Sequence, residues 1–243
     1  MLPDPSPQRP SAASARVVAF LEILLCSDYP TQLALGGTFT ALGYGPFTAN
    51  GDLSVVYVVG ISLLDALLLI GLVLLFLTAH GERPRNVIVG RRPVAQEIAA
   101  GIPLMFVAIG IAITVLLLTQ TYAPSLHTVP TNPLQKLLRS PRDAWLFALV
   151  VIVAGGIREE IQRAFLLHRF EQFFGGGAVG VAVTSVAFGA GHLLQGADVA
   201  IATGLLGAFW GVIYLRRRSA VAPIVSHAGF DLLQIVQFVV LER

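Results

Sequence analysis

The sequence predicts an all-α protein, a polytopic transmembrane helical bundle of about seven spans with the first one broken near Pro30. Three observations predict it. Of the 243 residues, 55% are hydrophobic and 12% charged, with a mean hydropathy of +0.77, far from the composition of a water-soluble domain. Apolar runs of about 20 residues, the length that crosses a hydrocarbon core, recur along the chain. The arginines fall mostly in the short connections between those runs, where they set topology.

Residues 1–15 are rich in Pro, Ser and Ala and read as a disordered tail. They lack the basic start and uninterrupted apolar stretch of a cleaved signal peptide. Residues 16–143 read as N-terminal transmembrane helices and loops, and 144–243 as a core that carries the chemistry. Arg16 opens an apolar stretch interrupted at Cys26–Gln32 and resumed to Tyr44, with Pro30 expected to break the span. Tyr44–Leu53 is a Gly-rich loop, and Val55–Ala79 is a clean second span whose lone acid, Asp65, is expected to face a neighbouring helix. A basic loop follows, with Arg83, Arg85, Arg91 and Arg92.

Ile98–Leu118 is the third span, and the prolines between Tyr122 and Asp143 exclude a long helix there. The remaining spans are expected over Ala144–Phe170, Ala178–Leu194, Val199–Leu215 and Val221–Leu241. Gly175–Gly177 makes a turn that lacks the Lys-Ser/Thr of a phosphate loop. Gly207 and Gly211, four apart, allow a close helix approach.

In a seven-span arrangement Arg9, Arg16, Arg83, Arg85, Arg91, Arg92, Arg169, Arg216, Arg217 and Arg218 share one side, against Lys136, Arg139, Arg142 and Arg243 on the other. The expectation is a multi-pass protein of the cell membrane with a cytoplasmic N-terminus. A net charge of +2 spread over loops gives no support for a nucleic-acid partner. The single Cys26 excludes an intrachain disulfide and a cysteine metal cluster, and reads as a small packing residue.

The chain is organised around Gly155-Gly156-Ile157-Arg158-Glu159-Glu160-Ile161-Gln162-Arg163. Arg158, Glu159, Glu160 and Arg163 lie inside an apolar run, where each ionisable group costs about 3 kcal/mol or more. At helical spacing Arg163 can pair with either glutamate, and one guanidinium cannot compensate both. A buried ion-pair knot is the structural reading. Two later segments shift the balance: Phe188 to His192 in the fifth span, and His227 with Asp231 one helical turn apart in the seventh. His80, His127 and His168 fall at loops or span ends and read as ordinary.

Glu with His can hold and deprotonate a water, and a second His beside a polar group can donate to a developing oxyanion. The same set, as Glu159, His192 and His227, also suits zinc with an open position. Either arrangement hydrolyses an amide. The His-Glu-x-x-His helix of soluble zinc proteases is absent.

Three motifs in order resemble the intramembrane proteases of the CAAX-processing and bacteriocin-immunity (CPBP) type, whose pattern is Glu-Glu-x-x-x-Arg, Phe-x-x-x-His and His-x-x-x-Asn/Asp. Phe188–His192 matches the second motif and His227–Asp231 the third; in the first, Arg163 follows Glu159-Glu160 one residue early. The resemblance covers about Ala144 to Leu241. It implies that Glu159 and His192 activate water, that His227 and Asp231 form the oxyanion site, and that Glu160, Arg163 and Phe188 give support. The early Arg163 is turned by about 100° relative to the family's arginine, so Glu160 stays beside Glu159 as a candidate for the catalytic glutamate.

The reading is an intramembrane endopeptidase acting on a membrane-associated peptide or protein within the lipid bilayer, by Glu/His-activated water. No cofactor is expected, with zinc as the alternative. Two other classes compete: a proton- or ion-coupled transporter, since intramembrane Glu, His and Asp also serve as relays, and a non-catalytic immunity or scaffold protein with the same fold.

Overall fold

The computed structural model describes residues 11–130, 134, 137–138 and 140–241. The tail before residue 11 and the topology-setting Arg9, Lys136, Arg139 and Arg243 lie outside the described residues. The architecture is a helical bundle, and among the described residues no strand occurs. Its helices are α1 (Ala12–Leu25), α2 (Tyr29–Ala41), α3 (Val55–Ala79), α4 (Pro84–Ile88), α5 (Val94–Tyr122), α6 (Pro141–Val150), α7 (Glu159–Phe173), α8 (Gly177–Gly191), α9 (Ala197–Arg217) and α10 (Val221–Leu241). A π-helical stretch, Val151–Arg158, joins α6 to α7 without a break.

Local chemistry sets several helix starts. Ser54 accepts the amide of Tyr57 at the start of α3, and Ser140 accepts that of Asp143 at the start of α6, satisfying donors that have no intrahelical partner. The first span breaks at Cys26–Asp28, where Asp28 takes φ 80°. Pro30 lies in the first turn of α2, where its missing N–H costs nothing. It therefore marks the resumption of the helix rather than the break.

By length and composition α3, α5 and α9 can each cross a membrane, and α8 is a shorter apolar helix. The exposed surface carries Leu67, Phe106, Leu117 and Val186, while Asp65, Glu97, Glu160, Arg163 and Arg169 are buried. That inverted distribution is the one a lipid solvent demands, since apolar side chains meet the acyl chains and polar ones satisfy each other inside.

α10 is the central packing element, lying along α5 and the π-helical stretch. Small residues let the backbones close: a Cβ on Gly101 would stand 2.6 Å from Val225, and one on Gly229 2.5 Å from Met105. Because α5 supports α10, the N-terminal half belongs to the same bundle as the core-bearing half. The pair at Gly207 and Gly211 takes close neighbours, Phe188 and Val181 respectively.

One end of the bundle gathers the loop arginines with carboxylates. Arg217 forks onto Glu97 with two 2.9 Å hydrogen bonds, and Arg169 binds Glu22 and Glu82 at 2.7 Å each. His80 meets Glu22 at 2.6 Å and His168 meets Glu82 at 2.7 Å. At another point His127 meets Asp198 at 2.7 Å. Each of these three histidines thus meets a carboxylate outside the Glu159–Glu160 pair. Cys26 is fully buried against Leu69, Phe165 and Leu166.

Candidate active site

Arg158, Glu159, Glu160 and Arg163 sit where the π-helical stretch gives way to α7. A π turn bonds i→i+5 instead of i→i+4, so it changes which residues of the following helix face a given neighbour, and such turns recur at functional sites. Gly155 and Gly156 lie in this stretch and admit α10 at close range. A Cβ on Gly156 would stand 2.5 Å from that of Ala228, and one on Gly155 2.6 Å from Asp231 Oδ2. That approach brings His227 and Asp231, one turn apart on α10, against the glutamates.

The two glutamates have different surroundings. Glu160 is 1% exposed, ion-paired with Arg163 three residues on, and accepts a 2.8 Å hydrogen bond from His227 Nδ1. Glu159 faces a cavity of about 390 Å³, shared with His192, His227 and Asp231. Glu160 is not part of that lining. The early Arg163 is thus occupied by the buried glutamate, with its guanidinium also 4.9 Å from the ring centre of Phe188.

His192 caps the C-terminal end of α8. Its Nδ1 lies 2.8 Å from the carbonyl of Phe188, which can only accept, so Nδ1 carries the proton and Nε2 is left as a base or acceptor. In His227 the same logic gives Nδ1–H to Glu160, while Nε2 lies 3.8 Å from Glu159 and 3.6 Å from Asp231. The His227 ring stacks on Trp210 at 3.8 Å between centres, and Trp210 donates to Ser226 at 3.1 Å. One face of the imidazole is covered and its plane is set by the indole.

Several participants were not singled out from sequence. Trp210 lies among small residues on α9, between Gly207 and Gly211, and that spacing was its one local signal. Asp28 joins Asp65, the acid expected to face a neighbouring helix, at Arg158, at 3.1 and 3.9 Å; nothing local links residues so far apart in the chain. Gln162 donates to the carbonyl of Cys26 at 2.8 Å, tying α7 to the break between α1 and α2. A second cavity, about 400 Å³, lies against Arg158, Glu159, Phe188 and His192 from the side of that break.

Among the described residues, no group of three His, Cys, Asp or Glu side chains has a metal-binding arrangement. In the set Glu159, His192 and His227, the His227 Nδ1 is engaged by Glu160 and its Nε2 stands 3.8 Å from Glu159. What the cavity wall presents is a carboxylate, an imidazole nitrogen free to accept, a second imidazole, and another carboxyl: an arrangement able to hold water and stabilise an oxyanion.

Residues 141–233 match the family model described as Type II CAAX prenyl endopeptidase Rce1-like. No curated protein and no solved structure matches the chain. The matched stretch begins at α6 and ends within α10, so it includes Glu159, Glu160, Arg163, Phe188, His192, His227 and Asp231.

Proposed function

Since residues 141–233 match the model of the Rce1-like type II CAAX prenyl endopeptidases, we propose that this protein hydrolyses a peptide bond near the end of a membrane-associated substrate, with water activated by Glu159 and His192. The family description supports a prenylated C-terminal peptide as the substrate class. The observation that carries the reading is the shared cavity: side chains from α7, α8 and α10 that would each be costly in lipid line one space of about 390 Å³.

In this scheme water sits between the Glu159 carboxylate and His192 Nε2. Glu159 takes one proton as the oxygen attacks the scissile carbonyl carbon. The carbonyl oxygen gains the negative charge and accepts from His227 Nε2–H, which the imidazolium form presents while Nδ1–H stays on Glu160. Asp231 serves as a second donor when it carries a proton, and otherwise orients His227. Collapse of the intermediate breaks the C–N bond, and the proton held by Glu159 passes to the departing amine. Glu160, Arg163 and Trp210 hold His227 and Phe188 in position. No step in the scheme requires a metal.

The test is cleavage of a quenched farnesylated peptide with a CAAX end by the purified full chain in liposomes. Glu159→Gln and His192→Ala should each lower kcat by about 10²-fold or more, the range for a positioned acid–base group. Cleavage by Glu159→Gln at the wild-type rate would end this reading.

A further inference from the structure

We propose that Asp28, with Asp65 in support, is a positioning residue for this reaction, and that it acts by drawing Arg158 away from Glu159. The inference rests on the proposed function above and concerns residues that lie outside the matched stretch 141–233. The basis is the geometry of one guanidinium among three carboxylates. Arg158 is 6% exposed. Its Nη1 lies 3.1 Å from Asp28 Oδ1, its Nε 3.9 Å from Asp65 Oδ2 and its Nη2 3.5 Å from Glu159 Oε1. Nη1 also reaches Gln162 Oε1 at 3.3 Å.

An arginine alone beside a carboxylate in a dry site closes onto it as a two-bond fork, which takes up the oxygens' lone pairs. Glu159 would then be a poor proton acceptor. Here Arg158 is outnumbered. Its shortest ion-pair contact, 3.1 Å, goes to Asp28 and the one to Glu159 is longer, 3.5 Å, with neither hydrogen-bonded, leaving the Glu159 carboxylate facing the cavity.

Asp28 is held for this task. It takes φ 80°, a conformation uncommon for a residue other than glycine. Gln32 donates to its Oδ2 at 2.7 Å. The bond from Gln162 to the Cys26 carbonyl pins the same turn against α7. The break between α1 and α2 therefore has a use: it exposes a turn that delivers a carboxylate to the guanidinium next to the catalytic glutamate. Asp65 adds a second anchor from α3, with neither oxygen hydrogen-bonded.

The experiment uses the full chain in liposomes with the farnesylated CAAX peptide, and records kcat, KM and melting temperature together. Asp28→Asn should lower kcat by about 10²-fold, as expected when a base is disabled, with KM and melting temperature close to wild type. Asp28→Glu should recover most of the rate, and Asp65→Asn should have the smaller effect. Wild-type kcat in Asp28→Asn overturns the proposal. So does a loss that Asp28→Glu does not recover and that follows the melting temperature down. Should Asp28→Asn fail to fold, Gln32→Leu decides: it removes the 2.7 Å hydrogen bond on an exposed residue and leaves the Asp28 carboxyl in place. A fall in kcat of about three- to tenfold, the worth of one hydrogen bond, upholds the proposal and wild-type kcat overturns it. A Glu159→Gln control separates the two levels. If it is inactive while Asp28→Asn is normal, only the positioning role fails; if it is active, the proposed function fails.

Discussion

His227 Nδ1 lies 2.8 Å from Glu160 Oε1, and this one contact gives two adjacent glutamates different surroundings. The Glu160 carboxylate is enclosed between His227 and Arg163, whereas Glu159 opens onto the cavity.

The two glutamates should therefore respond differently to the same change. Glu159→Gln is expected to lower kcat by about 10²-fold or more while leaving the melting temperature near wild type. Glu160→Gln removes one partner from a buried ion pair, a loss of about 3–5 kcal/mol, and is expected to lower stability along with activity. Denaturation and cleavage measured on both variants check this; equal stability losses would contradict the division.

Gly155 and Gly156 should also separate, though they are neighbours. A methyl on Gly155 meets the end of a side chain, Asp231 Oδ2 at 2.6 Å, which can swing aside. Gly155→Ala should cost little stability and lower kcat. A methyl on Gly156 meets Ala228 Cβ at 2.5 Å and its backbone at 2.9 Å, so Gly156→Ala must push α10 outward and should destabilise by about 1–3 kcal/mol. Melting curves of the two variants are the measurement.

Glu82 predicts an acid-sensitive end of the bundle. Burial pushes its carboxyl up, but the hydrogen bonds and charges of Arg169 and His168 outweigh that and hold it below its ordinary value of 4.5. A lowered folded-state value means stability that is fully present above the unfolded value and lost as pH falls through the folded one. Glu82→Gln should melt lower than wild type at neutral pH, and the gap should close below about pH 4.5. A gap that stays constant from neutral to acid pH would count against this pairing.

Metal dependence has a direct check. Protein stripped with a strong chelator should keep its cleavage activity with no stoichiometric metal remaining. Loss of activity restored by up to one equivalent of zinc would recast Glu159, His192 and His227 as ligands.

The orientation proposed, with the loop between α3 and α5 in the cytoplasm, rests on its Arg83, Arg85, Arg91 and Arg92. Asn86 is exposed there, and the one native cysteine is buried. Asn86→Cys should resist a membrane-impermeant thiol reagent applied to intact cells and react after permeabilisation. Ready labelling from outside would reverse the topology and put the N-terminal end of the bundle, joined to this loop through Glu22 and His80, on the far side.

Sequence alone determined the helical membrane architecture and which groups stand as candidates for chemistry. Both are local properties: an apolar run of about 20 residues needs no partner to be read, and a charge inside one stands out by its cost. The same holds for His227 and Asp231, whose four-residue spacing fixes a shared face on any helix. Tertiary structure decided the rest. Which glutamate meets the cavity depends on the π-helical stretch Val151–Arg158 and on Arg163 closing onto Glu160. Neither is visible in a periodicity that assumes one residue-to-residue rotation throughout. The stacking of Trp210 on His227 and the anchoring of Arg158 by Asp28 join residues on different helices. Such pairings arise only when glycines let backbones close to contact distance, so the chain must fold before they have an address.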